Sequence, residues 1–201
     1  MSQVEKTEKT LKIIILGSSE VGKTCILNRY FNNEFQENLL STIGIDFQTK
    51  FFKFEDDQRV RVNFIDTAGQ EKFRAISVNY LKGTDGVILV FDITNKETFD
   101  LLETWLNELR DTNKSDVSKI LIGNKSDLAE KRQVTSEDAN KLAENIKCKY
   151  YEASAKTGEN INEALDEIAR ISFINFSNSE ERIDSIVLSR EEEKNKRKKC
   201  C

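Results

Sequence analysis

The segment Gly17-Ser18-Ser19-Glu20-Val21-Gly22-Lys23-Thr24 constrains this chain more than any other. It fits the spacing G-x-x-x-x-G-K-[ST]. It stands between an apolar run, Ile13-Ile14-Ile15-Leu16, that reads as a strand, and Cys25-Ile26-Leu27-Asn28-Arg29-Tyr30-Phe31, which reads as a helix. Strand, glycine-bearing loop and helix are the setting in which this spacing cradles phosphate. The glycines let backbone N–H groups curl around phosphate oxygens, and the helix start adds its partial positive charge. Ser19, Glu20, Val21, Gly22, Lys23, Thr24 and Cys25 are therefore candidate ligand-binding residues. Lys23 can reach the outer phosphates and the Thr24 hydroxyl can sit on Mg²⁺. A turn that merely joins strand to helix is the alternative, and four filled positions in the right setting weigh against it.

Strand and helix signals alternate along the rest of the chain. Strands are expected at 11–16, 47–55, 59–65, 86–91, 119–123 and 150–153, with Asp56-Asp57-Gln58 as a hairpin turn between the second and third. The run Gly86-Val87-Ile88-Leu89-Val90-Phe91 is apolar throughout, as befits a strand buried on both faces. Helices are expected at about 22–32, through Phe99, Leu101, Leu102, Trp105, Leu106 and Leu109, from the capping signal Thr135 to Asp138 up to about Lys147, and through Ile161, Leu165, Ile168, Ala169 and Ile171. The pattern predicts an α/β fold: a six-stranded, mostly parallel sheet with one antiparallel strand and helices on both faces. Ligands in such folds bind at the C-terminal ends of the strands. The expected organisation is a flexible N-terminus at 1–8, one domain over 9–176, and a variable tail at 177–201.

The chain has 201 residues and no histidine, which excludes Ser–His and Cys–His triads and histidine metal sites. Its four cysteines, Cys25, Cys148, Cys200 and Cys201, lack zinc-finger spacing and fit a reducing compartment. No apolar run approaches the ~18–20 residues needed to span a bilayer, and the polar N-terminus carries no secretory signal. The formal net charge is −4, yet Lys194 to Lys199 carry five basic residues and no acid, leaving −9 on the remainder. An acidic body argues against nucleic acid as a partner. The terminal basic run suits an electrostatic tether.

Two further motifs follow strands. Asp66-Thr67-Ala68-Gly69-Gln70-Glu71 begins where the third strand ends. An Asp there can hold Mg²⁺, Gly69 offers an N–H that approaches a γ-phosphate unobstructed, and Gln70 can orient an attacking water. Asn124-Lys125-Ser126-Asp127 follows the fifth strand. The Asp127 carboxylate can accept from both N1–H and the 2-amino group of guanine, whereas adenine would leave it unpaired. The Lys125 stem can lie along the base while Asn124 braces neighbouring loops. Ser154-Ala155-Lys156 ends the next strand and can close the far side of the base.

Together these motifs resemble a small GTPase of the Ras superfamily, most closely the Rab family, over about Lys9 to Asn175. The resemblance implies GTP and GDP as ligands with Mg²⁺ as cofactor, and a P-loop G domain. It implies Thr42 as the switch threonine that ligates Mg²⁺ beside Thr24 and Asp66, and Phe35 as the aromatic packed on guanine. Ser41-Thr42-Ile43-Gly44-Ile45-Asp46-Phe47, Glu71-Lys72-Phe73-Arg74 and Tyr80-Leu81-Lys82-Gly83 are similar to Rab switch segments. Cys200-Cys201 is similar to the doubly prenylated Rab ending rather than a C-a-a-X box. Two prenyl chains beside a polybasic run hold a protein stably on a membrane.

The implied function is a GTP-hydrolysing switch that regulates vesicle traffic on the cytoplasmic face of an intracellular or plasma membrane, with a cytosolic pool. An exchange factor, a GTPase-activating protein, a GDP-dissociation inhibitor and effectors are the implied partners, and a monomer is expected. The alternatives are a GTP-binding module with little hydrolysis, a non-Rab member of the superfamily, and an ATP-dependent enzyme, against which Asp127 argues. Three positions depart from the Rab pattern: Glu20 replaces Gly or Ala, Ile65 replaces Trp, and Thr24 stands where some relatives have Ser. Glu20 is expected to alter nucleotide affinity or exchange. Ile65 is expected to alter effector specificity, and Thr24 is neutral for Mg²⁺.

Overall fold

The computed structural model describes residues 9–37, 42, 44–54, 59–67, 80–112 and 116–178. The hairpin turn at 56–58, the loop residues Gly69 and Gln70, the N-terminus at 1–8 and the terminal cysteines lie outside the described residues.

Six strands run β1 (Lys9–Leu16), β2 (Ile45–Lys53), β3 (Arg59–Thr67), β4 (Gly86–Asp92), β5 (Ser118–Asn124) and β6 (Lys149–Glu152). They form one sheet in the order β2-β3-β1-β4-β5-β6. Only the β2–β3 pairing is antiparallel. The fold class expected from alternating signals is the one found. β4 is buried at every position, because neighbours on both edges and helices on both faces cover it.

Alternation along β1 splits the core in two. Ile13 and Ile15 point to one face, where Ile26, Leu27 and Tyr30 of helix α1 (Lys23–Asn32) and Ile161, Leu165 and Ile168 of the last helix, α5 (161–178), cover them. Ile14 and Leu16 point to the other face. There they meet Leu102, Trp105, Leu106 and Leu109 of α3 (Leu102–Asp111), and Ala139 and Ala143 of α4 (Ser136–Asn145).

Some elements differ from the sequence reading. The helix expected around Phe99–Leu109 is two pieces, α2 (Lys96–Asp100) and α3, meeting at Leu101. Asn95 caps α2 by accepting from the Glu97 N–H at 3.0 Å. A short 3₁₀ turn at Ser126–Lys131, unmarked by periodicity, links β5 to α4. Thr135 caps α4 as its sequence signal suggests, accepting from the Asp138 N–H at 3.1 Å. α5 is helical through residue 178, two residues into the segment assigned to the tail.

Candidate nucleotide site

The site forms where strands end. β1 ends at Leu16, β3 at Thr67, β4 at Asp92, β5 at Asn124 and β6 at Glu152, and each is followed by a motif or its support. β2 and β3 lie on one side of β1 and β4 to β6 on the other, so this loop follows the strand where the order reverses.

The loop after β1 can be built only with its two glycines. Gly17 has φ 151, and a Cβ there would lie 2.3 Å from the Val90 carbonyl oxygen. Gly22 has φ 94, and its Cβ would lie 2.4 Å from Asn124 Nδ2. Glu20, exposed, adopts φ 63, a left-handed conformation unfavourable to a residue with a Cβ. Val21 is fully buried and pins the loop to the core. Lys23 is 5% exposed, and its ammonium donates to the Gly17 carbonyl at 2.9 Å and the Ser18 carbonyl at 2.8 Å. Burial lowers its pKa to about 8, opposed by the Asp66 carboxylate.

Next to it, three segments place oxygens together. Thr24 Oγ1 donates to Asp66 Oδ2 at 2.6 Å and lies 2.7 Å from Thr42 Oγ1; Thr42 Oγ1 reaches the same carboxylate oxygen at 3.5 Å. Asp66 is 2% exposed, and its second oxygen, Oδ1, is buried with no hydrogen-bond partner. Burial raises its pKa, the reverse of what two hydroxyl donors and Lys23 do. A buried carboxylate with an orphaned oxygen and two hydroxyls fits a hard, oxygen-seeking divalent cation such as Mg²⁺. Thr24, Thr42 and Asp66 would hold it. Among the described residues no group of three His, Cys, Asp or Glu offers another such place.

A second cluster gathers the residues assigned to the base. Asn124 spans two loops: its Nδ2 donates to the Val21 carbonyl at 2.7 Å and its Oδ1 accepts from the Ala155 N–H at 3.1 Å. Lys125, at φ 71, sets its ammonium 2.6 Å from Asp92 Oδ2. Ser154 Oγ donates to Asp127 Oδ1 at 2.6 Å and accepts from the Thr157 N–H at 3.1 Å. Lys156 reaches Glu37 at 3.4 Å. Phe35 is partly buried against the core after α1. Cys25 is half-buried one residue past Thr24, and burial raises its thiol pKa, with Lys125 opposing.

Sequence reasoning missed Asp92. It is 6% exposed, orients Lys125, and accepts from the Thr94 N–H at 2.8 Å and the Thr94 hydroxyl at 2.7 Å. The available signal was positional: an acid closing an apolar strand, as Asp66 closes β3.

Away from this edge, Phe47 pairs across with Ile65 and its ring lies 5.9 Å from that of Tyr80. Ile65 is buried, whereas Phe47 is 53% exposed. Here an exposed aromatic, Phe47, therefore stands between a half-buried Tyr80 and the buried aliphatic Ile65.

The Ras family pattern matches residues 12–173. The chain is 42% identical over 159 residues to the Ras-related protein Rab-8B of Bos taurus, covering 79% of this chain and 76% of that one. It is 45% identical over 160 residues to the Ras-related protein Rab-1 of Theileria parva, covering 79% and 72%. It is 41% identical over 160 residues to the GTP-binding protein ypt2 of Schizosaccharomyces pombe, covering 80% of each.

Proposed function

Because the chain belongs to the Ras family, within its Rab branch of small GTPases, we propose that it is a Mg²⁺-dependent GTP switch for vesicle traffic, held on membranes by its C-terminus. The observation that carries this reading is the Thr24–Thr42–Asp66 cluster, whose buried carboxylate keeps one oxygen orphaned and feels the charge of the phosphate-loop lysine.

The chain's own groups divide the work. Loop amides from Ser19 to Cys25 and the start of α1 bind the phosphates, and Lys23 exchanges its two carbonyl partners for phosphate oxygens. Thr24, Thr42 and Asp66 would hold Mg²⁺, and the cation would supply positive charge against the phosphates. Gln70 orients the attacking water, and the Gly69 N–H meets the γ-phosphate. Hydrolysis gives GDP and phosphate, and the segments carrying Thr42 and Gly69 then relax into the inactive state. Asp127 accepts from guanine N1–H and the 2-amino group, with Ser154 holding its carboxylate in place. Lys125, Asn124, Ala155, Lys156 and Phe35 form the walls around the base.

Residues 9–176 act as the G domain and 177–201 as the tail. Prenyl chains on Cys200 and Cys201, with the basic run before them, anchor the protein. No helix among the described residues is long and apolar enough to cross a membrane. A monomer engages an exchange factor, a GTPase-activating protein, a GDP-dissociation inhibitor and effectors. Single-turnover assays test the switch: GTP cleavage is expected with Mg²⁺, a sharp loss with a chelator, and no competition from ATP. Tight ATP binding would defeat the base assignment. Fractionation tests the anchor: a variant lacking both terminal cysteines is expected in the soluble fraction, and membrane pelleting equal to the native chain would place the anchor elsewhere.

A further inference from the structure

Arg29 lies in the last turn of α1, half-buried, and belongs to none of the motifs. Its guanidinium nevertheless makes four hydrogen bonds to two segments far apart in sequence. Nε donates to the Ala155 carbonyl at 2.9 Å and Nη2 to the Lys156 carbonyl at 2.7 Å. Nη1 donates to the Asn33 carbonyl at 2.8 Å and to Asn33 Oδ1 at 3.0 Å. Asn33 is the left-handed cap of α1, two residues before Phe35.

We propose that Arg29 is a positioning residue for guanine retention, locking the loop at 154–157 to the α1 cap and so fixing two walls of the base site together. The proposal rests on the base site read above. Its physical core is peptide planarity. In a trans peptide the N–H points opposite the carbonyl, so a fork that holds the Ala155 and Lys156 carbonyls also fixes the direction of the Lys156 and Thr157 N–H groups. The Thr157 N–H is accordingly directed back to Ser154 Oγ, and Ser154 in turn holds Asp127. The fork therefore sets the Asp127 carboxylate through one intermediate side chain. On its other side it holds Asn33, which sets the path of the chain leading into Phe35. Across the same gap Lys156 pairs with Glu37, an exposed contact worth little by itself. A planar, rigid fork can satisfy both carbonyls and the cap at once, which a lysine cannot. A residue acting only as a cation at a helix C-terminus would need none of the contacts to 155 and 156.

The test uses the full chain loaded with a fluorescent GDP analogue, comparing the native protein with Arg29→Lys and Arg29→Ala. Release from Arg29→Ala is expected to be about tenfold faster, the scale of one lost charge-assisted hydrogen bond. Arg29→Lys is expected to fall between. Both ratios should persist when Mg²⁺ is chelated, because the base walls are separate from the cation ligands. Amide hydrogen exchange should rise at 33–37 and 154–158 and stay unchanged in β1. The proposal is overturned if Arg29→Lys releases at the native rate, or if faster release comes with a uniform rise in exchange across β1 and β5. A native protein that holds ADP as well as GDP would overturn the guanine site itself, and this inference with it. Should Arg29→Ala fail to fold, Arg29→Lys decides, since it keeps the charge and loses only the fork.

Discussion

Replacing Glu20 should slow nucleotide release, and two variants separate the reasons. Glu20 sits in the phosphate loop at φ 63, exposed, with Val21 buried behind it. A non-glycine residue in that conformation costs ~1–2 kcal/mol. Glycine removes the strain but gives back ~0.5–1 kcal/mol through the freedom it adds to the unfolded chain. Glu20→Gly should therefore gain at most ~1.5 kcal/mol of stability. The charge acts differently. A carboxylate ~8 Å from a phosphate charge, at an effective dielectric near 20, is repelled by ~2 kcal/mol. One Debye length of physiological salt reduces this to ~0.8 kcal/mol, about a fourfold change in rate.

Glu20→Gln removes only the charge, because glutamine keeps both the Cβ and the left-handed backbone. GDP release from Glu20→Gln should be about fourfold slower than native at physiological salt, and the gap should close near 1 M salt. Its unfolding midpoint should match the native one, whereas Glu20→Gly should be slower to release and also more stable. Equal release rates for Glu20→Gln and the native chain at low salt would refute the electrostatic argument. A difference that does not respond to salt would refute it equally.

Three other outcomes follow from the site and its surroundings. Asp127→Asn should lower GTP affinity by ~10²-fold or more and favour xanthine nucleotides, whose 2-oxo group needs a donor, as competition binding would read. Gln70→Leu should leave GTP binding intact and slow single-turnover cleavage below an intrinsic rate expected at ~10⁻⁴–10⁻³ s⁻¹; equal turnover would remove Gln70 from the chemistry. Glu167 is held at a pKa of about 2, first by hydrogen bonds from Arg170 at 2.8 and 2.9 Å and then by Lys149. A lowered carboxylate pKa stabilises the fold above the unfolded-state value, and the gain fades as pH falls from about 4.5 toward 2. Solvent screening limits it, so Glu167→Gln should cost about 0.5 kcal/mol at pH 7 and nothing at pH 2, as urea midpoints would show.

The fold was legible because its signals are local. The apolar run of β4 and the strand–loop–helix around Lys23 each depend on a few consecutive residues. The break at Leu101 and the 3₁₀ turn at Ser126–Lys131 were not legible: cap chemistry and a short backbone path set them, not hydrophobic period. The site divides in the same way. Residue types at fixed spacing marked Lys23, Thr24, Asp66 and Asp127. Asp92 and Arg29 escaped because what they do is defined only by partners elsewhere, Lys125 thirty-three residues on and Ala155 one hundred and twenty-six.

Those long-range partners carry a consequence for the switch. Asn124 joins the phosphate loop to the 155 backbone, Ser154 joins that loop to Asp127, and Arg29 joins it to the chain entering Phe35. On the proposed reading, base and phosphate sites would therefore share one hydrogen-bonded frame, joined through the single side chain of Asn124. The cation cluster differs. Thr42 meets it through hydroxyl contacts to Thr24 and Asp66, and those are the contacts that a bound cation would replace. On the function proposed above, a switch uses such a division: a stiff frame that keeps hold of the nucleotide in both states, and a threonine whose position would depend on the γ-phosphate.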